Sequence, residues 1–292
     1  MTAPIPPRVK ELAAHQRVDT ELVSVGPFNL YVDPEVYFHT RSAVTQAFLA
    51  NARFPGKDVL DMGCGTGAGG ILALHRGARS VTFSDVSEKA IANTTRNLRF
   101  HELESHATVV ESDLFSALSG KKFDVITFNF PFSYTEGSPE EVTDALGAPW
   151  GVARNYLDPG YKLIDQFMEE FARYLRPGGF AQVSFGTTGN VPLWHELIQK
   201  HQLELQTIHA APGIEPTDTN TWYIYRLIPP SAKSKSKAKP TPKVKAKSSK
   251  SKAKPTPKAK PTPKATSKSK AMSKSKSKPT PKAKSKSKSK SK

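Results

Sequence analysis

The densest chemical signal in the 292-residue chain is Val59-Leu60-Asp61-Met62-Gly63-Cys64-Gly65-Thr66-Gly67. Glycines at alternate positions allow a tight strand-to-helix turn and let a ligand come close to the backbone. The helix start beyond them offers unpaired N–H groups to an anionic group. Such a turn alone is also an ordinary link between strand and helix. Asp85 sharpens it, because it ends the next strand, 24 residues after Asp61. A carboxylate there can accept both hydroxyls of an adenosine ribose, in a nicotinamide or a sulfonium cofactor alike. The glycine pattern is G-x-G-x-G, and Asp61 precedes it. That carboxylate would repel a pyrophosphate and suits the ammonium end of a methionine moiety. The balance favours S-adenosylmethionine over a dinucleotide.

Two further segments extend the site. In Glu111-Ser112-Asp113-Leu114, Asp113 either hydrogen-bonds an adenine amino group or caps a short helix over Leu114–Leu118. Asn129-Phe130-Pro131-Phe132 ends the fourth strand, at the sheet edge where ligands sit. Methyl transfer needs a nucleophile in line with the sulfonium carbon, and an amide or exocyclic amine nitrogen is planar with a delocalised lone pair. The Asn129 side-chain oxygen and the Phe130 carbonyl can accept its two N–H bonds, holding the nitrogen and favouring positive charge on it. Phe132 can stack on the flat group. The expected catalytic set is therefore Asn129, Phe130, Pro131 and Phe132. The expected cofactor set is Asp61, Gly63, Gly65, Gly67, Asp85 and Asp113, with Asn129 at their border. No metal-ligand cluster is visible. Weaker leads are His39, a surface or packed histidine able to approach a substrate, and Tyr134, Trp150 and Tyr156, in a long segment expected to form a substrate lid. Cys64 reads as a small packing residue.

The elements that position these residues alternate. Strands are expected at Asp58–Met62, Ser80–Asp85, Ala107–Glu111, Asp124–Phe128, Phe180–Phe185, Leu203–His209 and Thr221–Leu227. Helices are expected through Ile71–His75, at Glu88–Phe100 with Ser87 as N-cap, at Tyr161–Tyr174 and at Pro192–His201. Arg176-Pro177-Gly178-Gly179 should stop the third of these. Upstream, Met1–Pro7 reads as loose, Val9–Arg17 as a short helix, Gly26–Asp33 as extended or a hairpin, and Pro34–Arg53 has helical spacing. Alternation of this kind predicts a doubly wound α/β domain with a mostly parallel sheet.

VLDMGCGTG, SDVSEKAIANTTRNL, FDVITFNFPF and YKLIDQFMEEFARYLRPGG together resemble a class I methyltransferase of the small-domain group that bears an Asn-Pro-Pro-Tyr motif. That group includes the HemK-like glutamine methyltransferases of release factors and several base-amine methyltransferases. The likeness covers roughly Val36–Leu227. It implies a Rossmann-like, seven-stranded sheet with the last strand antiparallel. It also implies cofactor roles for Asp61, Gly63, Gly65, Asp85 and Asp113, and a substrate role for Asn129. Phe130 stands where the first proline is usual, as in the similar motif of rRNA adenine dimethyltransferases. The segment upstream is short for a HemK-like substrate-recognition domain, and His39-Thr40-Arg41-Ser42 only dimly echoes its usual Pro-Arg-x-Asp-Thr stretch.

The alternating pattern begins at Lys57 and the composition shifts at Ser231, so the expected parts are an N-terminal segment, 1–56, the domain that resembles a methyltransferase, 57–230, and a basic tail, 231–292. The tail holds 24 lysines and no Asp or Glu, with KPTPK at Lys239–Lys243, Lys254–Lys258, Lys260–Lys264 and Lys278–Lys282. The whole chain has 43 Lys+Arg, 26 Asp+Glu and a net charge of +17. Without the tail, 19 basic and 26 acidic residues remain, so the folded part carries −7 and its own surface is poorly suited to a nucleic-acid backbone. The tail has nothing to bury and is expected to be disordered, stiffened locally by Pro-Thr-Pro. It resembles linker-histone tails and should bind polyanions such as DNA or RNA, though without aromatics it offers no base stacking. Cys64 is the only cysteine, which excludes an intrachain disulfide and suits a reducing compartment. No apolar run reaches a membrane span and no secretory h-region is visible. A cytoplasmic monomer is expected, associated with nucleoid or ribosome if the tail directs it.

The expected activity is methyl transfer from S-adenosylmethionine to the nitrogen of a protein side-chain amide or a nucleic-acid base amine. The alternatives are a small-molecule N- or O-methyltransferase and, in another class, a non-catalytic nucleic-acid binder acting through its tail.

Overall fold

The computed structural model describes residues 5–14, 17–25, 28–38, 43–212 and 220–230. All lie in Met1–Lys239, the first of two units into which the chain divides. His39-Thr40-Arg41-Ser42 and everything from Ser231 onward fall outside the described residues.

The centre is a seven-stranded sheet of order β10-β11-β9-β6-β3-β4-β5. Its strands are β3 (Asp58–Met62), β4 (Ser80–Asp85), β5 (Ala107–Glu111), β6 (Phe123–Phe128), β9 (Leu175–Gly186), β10 (Glu204–Pro212) and β11 (Thr221–Ile228). Neighbours β3–β4, β4–β5, β3–β6 and β6–β9 are parallel. The last strand, β11, runs antiparallel to both β9 and β10, as expected. Val59–Met62 and Val125–Phe128 are buried along their length because helices cover both faces of the central strands.

Each parallel step needs a crossover. α3 (Ala68–His75) follows β3 and is apolar nearly all round, with Ala68 and Gly70–Leu74 buried. A Cβ on Gly70 would stand 2.3 Å from Phe83 Cε1, so glycine lets this helix lie directly on β4. α4 (Glu88–Phe100) follows β4 and starts as expected, with Ser87 Oγ accepting from Ala90 N at 3.4 Å. Its buried amides hold the N-terminal hairpin of β1 (Glu21–Val25) and β2 (Phe28–Val32). Asn97 Oδ1 accepts from Tyr31 N at 2.7 Å, and its Nδ2 donates to Tyr31 O at 2.8 Å and Thr66 O at 2.9 Å.

Several expectations are corrected. The upstream helix is α1 (Pro7–Ala14), with Ile5 buried just before it. Among the described residues of the Pro34–Arg53 stretch, only α2 (Ala43–Ala50) is helical, and 33–38 form a strap without helix or strand. No helix forms over Leu114–Leu118. Ser112, not Asp113, holds that turn, accepting from Ala117 N at 3.1 Å. The long segment after the motif is no loop. It contains β7 (Ser133–Thr135), α5 (Pro139–Leu146), α6 (Trp150–Ala153) and β8 (Leu157–Pro159), with β7 and β8 paired in parallel. Ser138 and Glu141 close a capping box at the start of α5. Val142, Val152, Ala153 and Leu157 bury their side chains with Ile5, Val9 and Ala13 of the N-terminal segment. The expected Tyr161–Tyr174 helix divides into α7 (Lys162–Glu170) and a 3-10 turn at Phe171–Tyr174. Strand β9 already begins at Leu175, so Arg176–Gly179 form its irregular entry, with Gly178 at φ 78°. α8 (Val191–Lys200) completes this side of the sheet.

Candidate functional site

The glycine turn is built by backbone conformation. Gly63, Gly65 and Gly67 take φ of 59°, 56° and 80°, in the left-handed region that side chains disfavour. A Cβ on Gly63 would lie 2.8 Å from the Phe128 ring. Gly65 sits under the 33–38 strap, where its Cβ would meet the Tyr37 carbonyl at 3.4 Å. Gly67 starts α3 and faces Thr94 of α4, so it shapes the turn without bordering the cavity beside it. Cys64 is buried, its sulfur 3.3 Å from Thr94 Oγ1, and burial pushes its thiol well above the ordinary range.

Two carboxylates frame the turn, Asp61 buried and Asp85 half-buried. Asp61 is 4% exposed and accepts from Gly70 N at 2.8 Å and Thr127 Oγ1 at 2.9 Å. Burial outweighs those bonds and raises its pKa to about 7. Asp85 accepts from Gly65 N at 3.0 Å and Ser87 N at 2.9 Å, which ties the end of β4 to the turn. Burial raises its pKa too, while those N–H groups and the Arg154 charge pull it down.

A cavity of about 330 Å³ opens along the carboxyl ends of β3, β4 and β6. Asp61, Gly63, Gly65, Asp85 and Asp113 line it together with Asn129 and Pro131. The strap (Glu35–Phe38) and Trp150, Arg154 and Asn155 cover it. Lys89 holds Glu35 at 2.6 Å, and Asn155 Nδ2 reaches the Glu35 carbonyl at 3.2 Å.

The four motif residues separate here. Asn129 is half-buried, and its Oδ1 accepts from the Ser184 hydroxyl, which fixes the direction of the amide. Pro131 borders the cavity. The Phe130 ring is 2% exposed and packs between Phe128 and Trp194 in the core. The Phe132 ring packs on Phe185 and Trp222, so neither phenylalanine ring lines the cavity. Of the three lid candidates, Trp150 borders the cavity. Tyr134 and Tyr156 pack against Tyr161 and Tyr37 instead.

Two lining residues escaped the sequence reading. Arg154 is the one cationic side chain lining the cavity among the described residues. Asp158 is 3% exposed and accepts from Leu163 N at 3.1 Å and Ile164 N at 2.9 Å, capping the first turn of α7. Burial raises its pKa to about 6. Asp158-Pro159-Gly160 before an apolar periodic run is a helix-start signal that could have found it.

This donor set fits S-adenosylmethionine. A glycine cradle leaves room beside the backbone, and two carboxylates, Asp61 buried and Asp85 half-buried, can accept from ammonium or hydroxyl groups. The described residues contain no helix long and apolar enough to cross a membrane.

Residues 28–164 match the methyltransferase small domain family. The chain is 29% identical over 163 residues to a Methanocaldococcus jannaschii protein provisionally named a protein N5-glutamine methyltransferase, covering 56% of this chain and 78% of that one. It is 28% identical over 185 residues to the release factor glutamine methyltransferase of Shewanella oneidensis, covering 63% and 62%. The fold is shared with a 16S rRNA N2 methyltransferase from T. thermophilus solved with AdoMet and guanosine, at a TM-score of 0.51 and 18% identity, covering 74% of this chain and 51% of that one. The chain therefore spans less than two thirds of the length of the last two. Glycine turn, carboxylates, sheet order and relatives agree on a class I methyltransferase fold whose residues 28–164 match the methyltransferase small domain, and they indicate S-adenosylmethionine-dependent methyl transfer.

Proposed function

We propose that the enzyme methylates a planar nitrogen, and that the nitrogen is a protein side-chain amide. The observation that carries this reading is Asn129, whose amide is set at the cavity wall with its oxygen oriented by Ser184. Its second lone pair remains for an N–H of the acceptor. The Phe130 carbonyl takes the other N–H, so the motif phenylalanine works through its backbone while its ring anchors the strand end. Both acceptors favour the positive charge that grows on nitrogen during transfer.

S-adenosylmethionine, when bound, supplies a methyl group made electrophilic by its sulfonium. Asp85 is assigned to the ribose hydroxyls, Asp113 to the adenine amino group, and Asp61 to the ammonium. Gly63 and Gly65 leave room for the cofactor's chain. Arg154, the lone lining cation among the described residues, is assigned to the methionine carboxylate. The 33–38 strap and Trp150 exclude water.

The two glutamine methyltransferase relatives support an amide acceptor. So does the cavity's charge: Glu35, Asp61, Asp85, Asp113 and Asp158 face one arginine, a poor surface for a phosphate backbone. Tritiated S-adenosylmethionine added to fractionated cell extract tests this directly. Label in protein, released as N-methylglutamine or N-methylasparagine on exhaustive proteolysis, is expected. Label confined to RNA, DNA or small molecules would replace the amide with another acceptor.

A further inference from the structure

Tyr161 has a backbone that its residue type disfavours. It sits at φ 52°, ψ 37°, fully buried, at the junction of β8 and α7. Asn, Asp and Gly tolerate this left-handed conformation, and a bulky aromatic there is an outlier held by its surroundings. The surroundings are the acceptor motif. The Tyr161 hydroxyl donates to the Phe132 carbonyl at 2.7 Å and accepts from Asn190 N at 2.6 Å. Its ring stands edge-on to Tyr134 and Phe185. Gly189 completes the contact, because a Cβ there would lie 2.6 Å from the Tyr161 oxygen and 2.9 Å from the Phe132 carbonyl. One hydroxyl thus ties the end of the motif to the turn between β9 and α8, while Ser184 of β9 ties its beginning through Asn129.

We infer that Tyr161 is a positioning residue for methyl transfer: its hydroxyl fixes the Asn129–Phe132 backbone so that the Asn129 oxygen and Phe130 carbonyl face the acceptor nitrogen together. The inference rests on the reading of Asn129 as the nitrogen clamp. Burial raises the phenol's pKa, so the hydroxyl stays protonated and able to donate through the working pH range. Without it the Phe132 carbonyl and Asn190 N–H lose their shared partner, and the motif gains freedom at its downstream end. The cofactor turn lies on β3 and α3 and shares none of these bonds.

The test compares Tyr161→Phe, Gly189→Ala and Asn129→Ala in the full chain. The probes are calorimetric binding of S-adenosylmethionine and tritium transfer into the extract fraction that the native enzyme labels, titrated to separate kcat from acceptor KM. Tyr161→Phe keeps the ring and should bind cofactor within about twofold of native while kcat falls about ten- to a hundredfold, the scale of a small misplacement of reacting groups. Gly189→Ala keeps the hydroxyl but wedges it off both partners, and should show the same split. A residue that only packs would lower the melting temperature without moving kcat at a temperature where the protein is folded. Native turnover in folded Tyr161→Phe with Asn129→Ala impaired would overturn the role of Tyr161 alone. Full turnover in Asn129→Ala would overturn the clamp and this inference with it. Should Tyr161→Phe fail to fold, native turnover in Gly189→Ala would overturn the proposal by itself.

Discussion

The two ends of the cavity are built by different means. At the cofactor end, the twelve consecutive residues Val59–Gly70 make their own shape: left-handed glycines, the start of α3, and Asp61 folded back on Gly70 N at 2.8 Å. At the acceptor end, the shape of Asn129–Phe132 comes from residues far away in sequence. Ser184 orients Asn129, Tyr161 holds Phe132, and Asn190 holds Tyr161. The first end is local and backbone-encoded, the second tertiary and side-chain-encoded. Damage at the first should appear as lost cofactor affinity, and damage at the second as lost turnover with affinity kept.

Asn129→Ala breaks this contrast most sharply. Turnover should fall by about 10²–10³-fold, the range for removing one preorganised polar group, with cofactor affinity nearly intact. Steady-state kinetics beside calorimetry checks it. Equal losses in both would mean that the two ends are not separable. Asn129→Asp refines the acceptor, since retained activity favours an amine and full loss an amide.

The mirror-image change is Asp85→Ala. Loss of the acceptor for the ribose hydroxyls should weaken S-adenosylmethionine binding by about 1.5–3 kcal/mol. Unchanged affinity in a folded variant would remove Asp85 from the site.

Proton linkage gives a third, smaller test at the cofactor end. Asp61 has a pKa of about 7 in the folded chain against 3.8 for a free side chain, and Asp158 about 6. Between these values the folded state keeps protons that the unfolded chain has released, so stability without cofactor should fall as pH rises from about 4 to 7, then level off. The two shifts together correspond to roughly 7 kcal/mol at most. Below pH 4 the trend reverses, because Arg79 holds the Asp58 carboxyl well below its ordinary range and protonating it costs stability. Melts across this range, fully ligand-free, measure both slopes. Cofactor binding should prefer ionised Asp61, so affinity should drop by up to about tenfold per unit below pH 7. A flat profile in both experiments would detach Asp61 from the ammonium.

The smallest expected effect lies outside the contrast. Truncation after Pro230 should leave cofactor affinity unchanged and the melting temperature within about 2 °C, the shift that 0.5–1 kcal/mol produces in a domain of this size. Filter binding of the intact chain to duplex DNA or RNA should be weak and lost in moderate salt. An insoluble truncation would move the domain boundary, and salt-insensitive binding would demand a folded nucleic-acid site.

Much of the domain was legible from residues alone, for reasons that differ by element. The central strands β3 and β6 follow from apolar runs buried on both faces, and Ser87 announces α4 because capping is a local bond. The Ser138–Glu141 box at the start of α5 is an equally local signal. Other features had no local signal. A helical period through Tyr161–Tyr174 could not show that its first residue is left-handed and its last turn 3-10. Spacing could not show that Phe130 and Phe132 turn their rings away from the cavity, because the period of a strand end says which face alternates but not what covers it.

By itself the sequence determined the sheet, the glycine turn with its two carboxylates, and the cofactor they serve, because glycine conformation, capping and hydrophobic period act over a few neighbouring residues. Only the tertiary structure decided which motif atoms reach the cavity. It also brought Arg154 and Asp158 there and placed the Tyr161 hydroxyl between Phe132 and Asn190. Those hydrogen bonds join residues 29 to 55 positions apart, and only packing around a common core specifies which distant side chains meet.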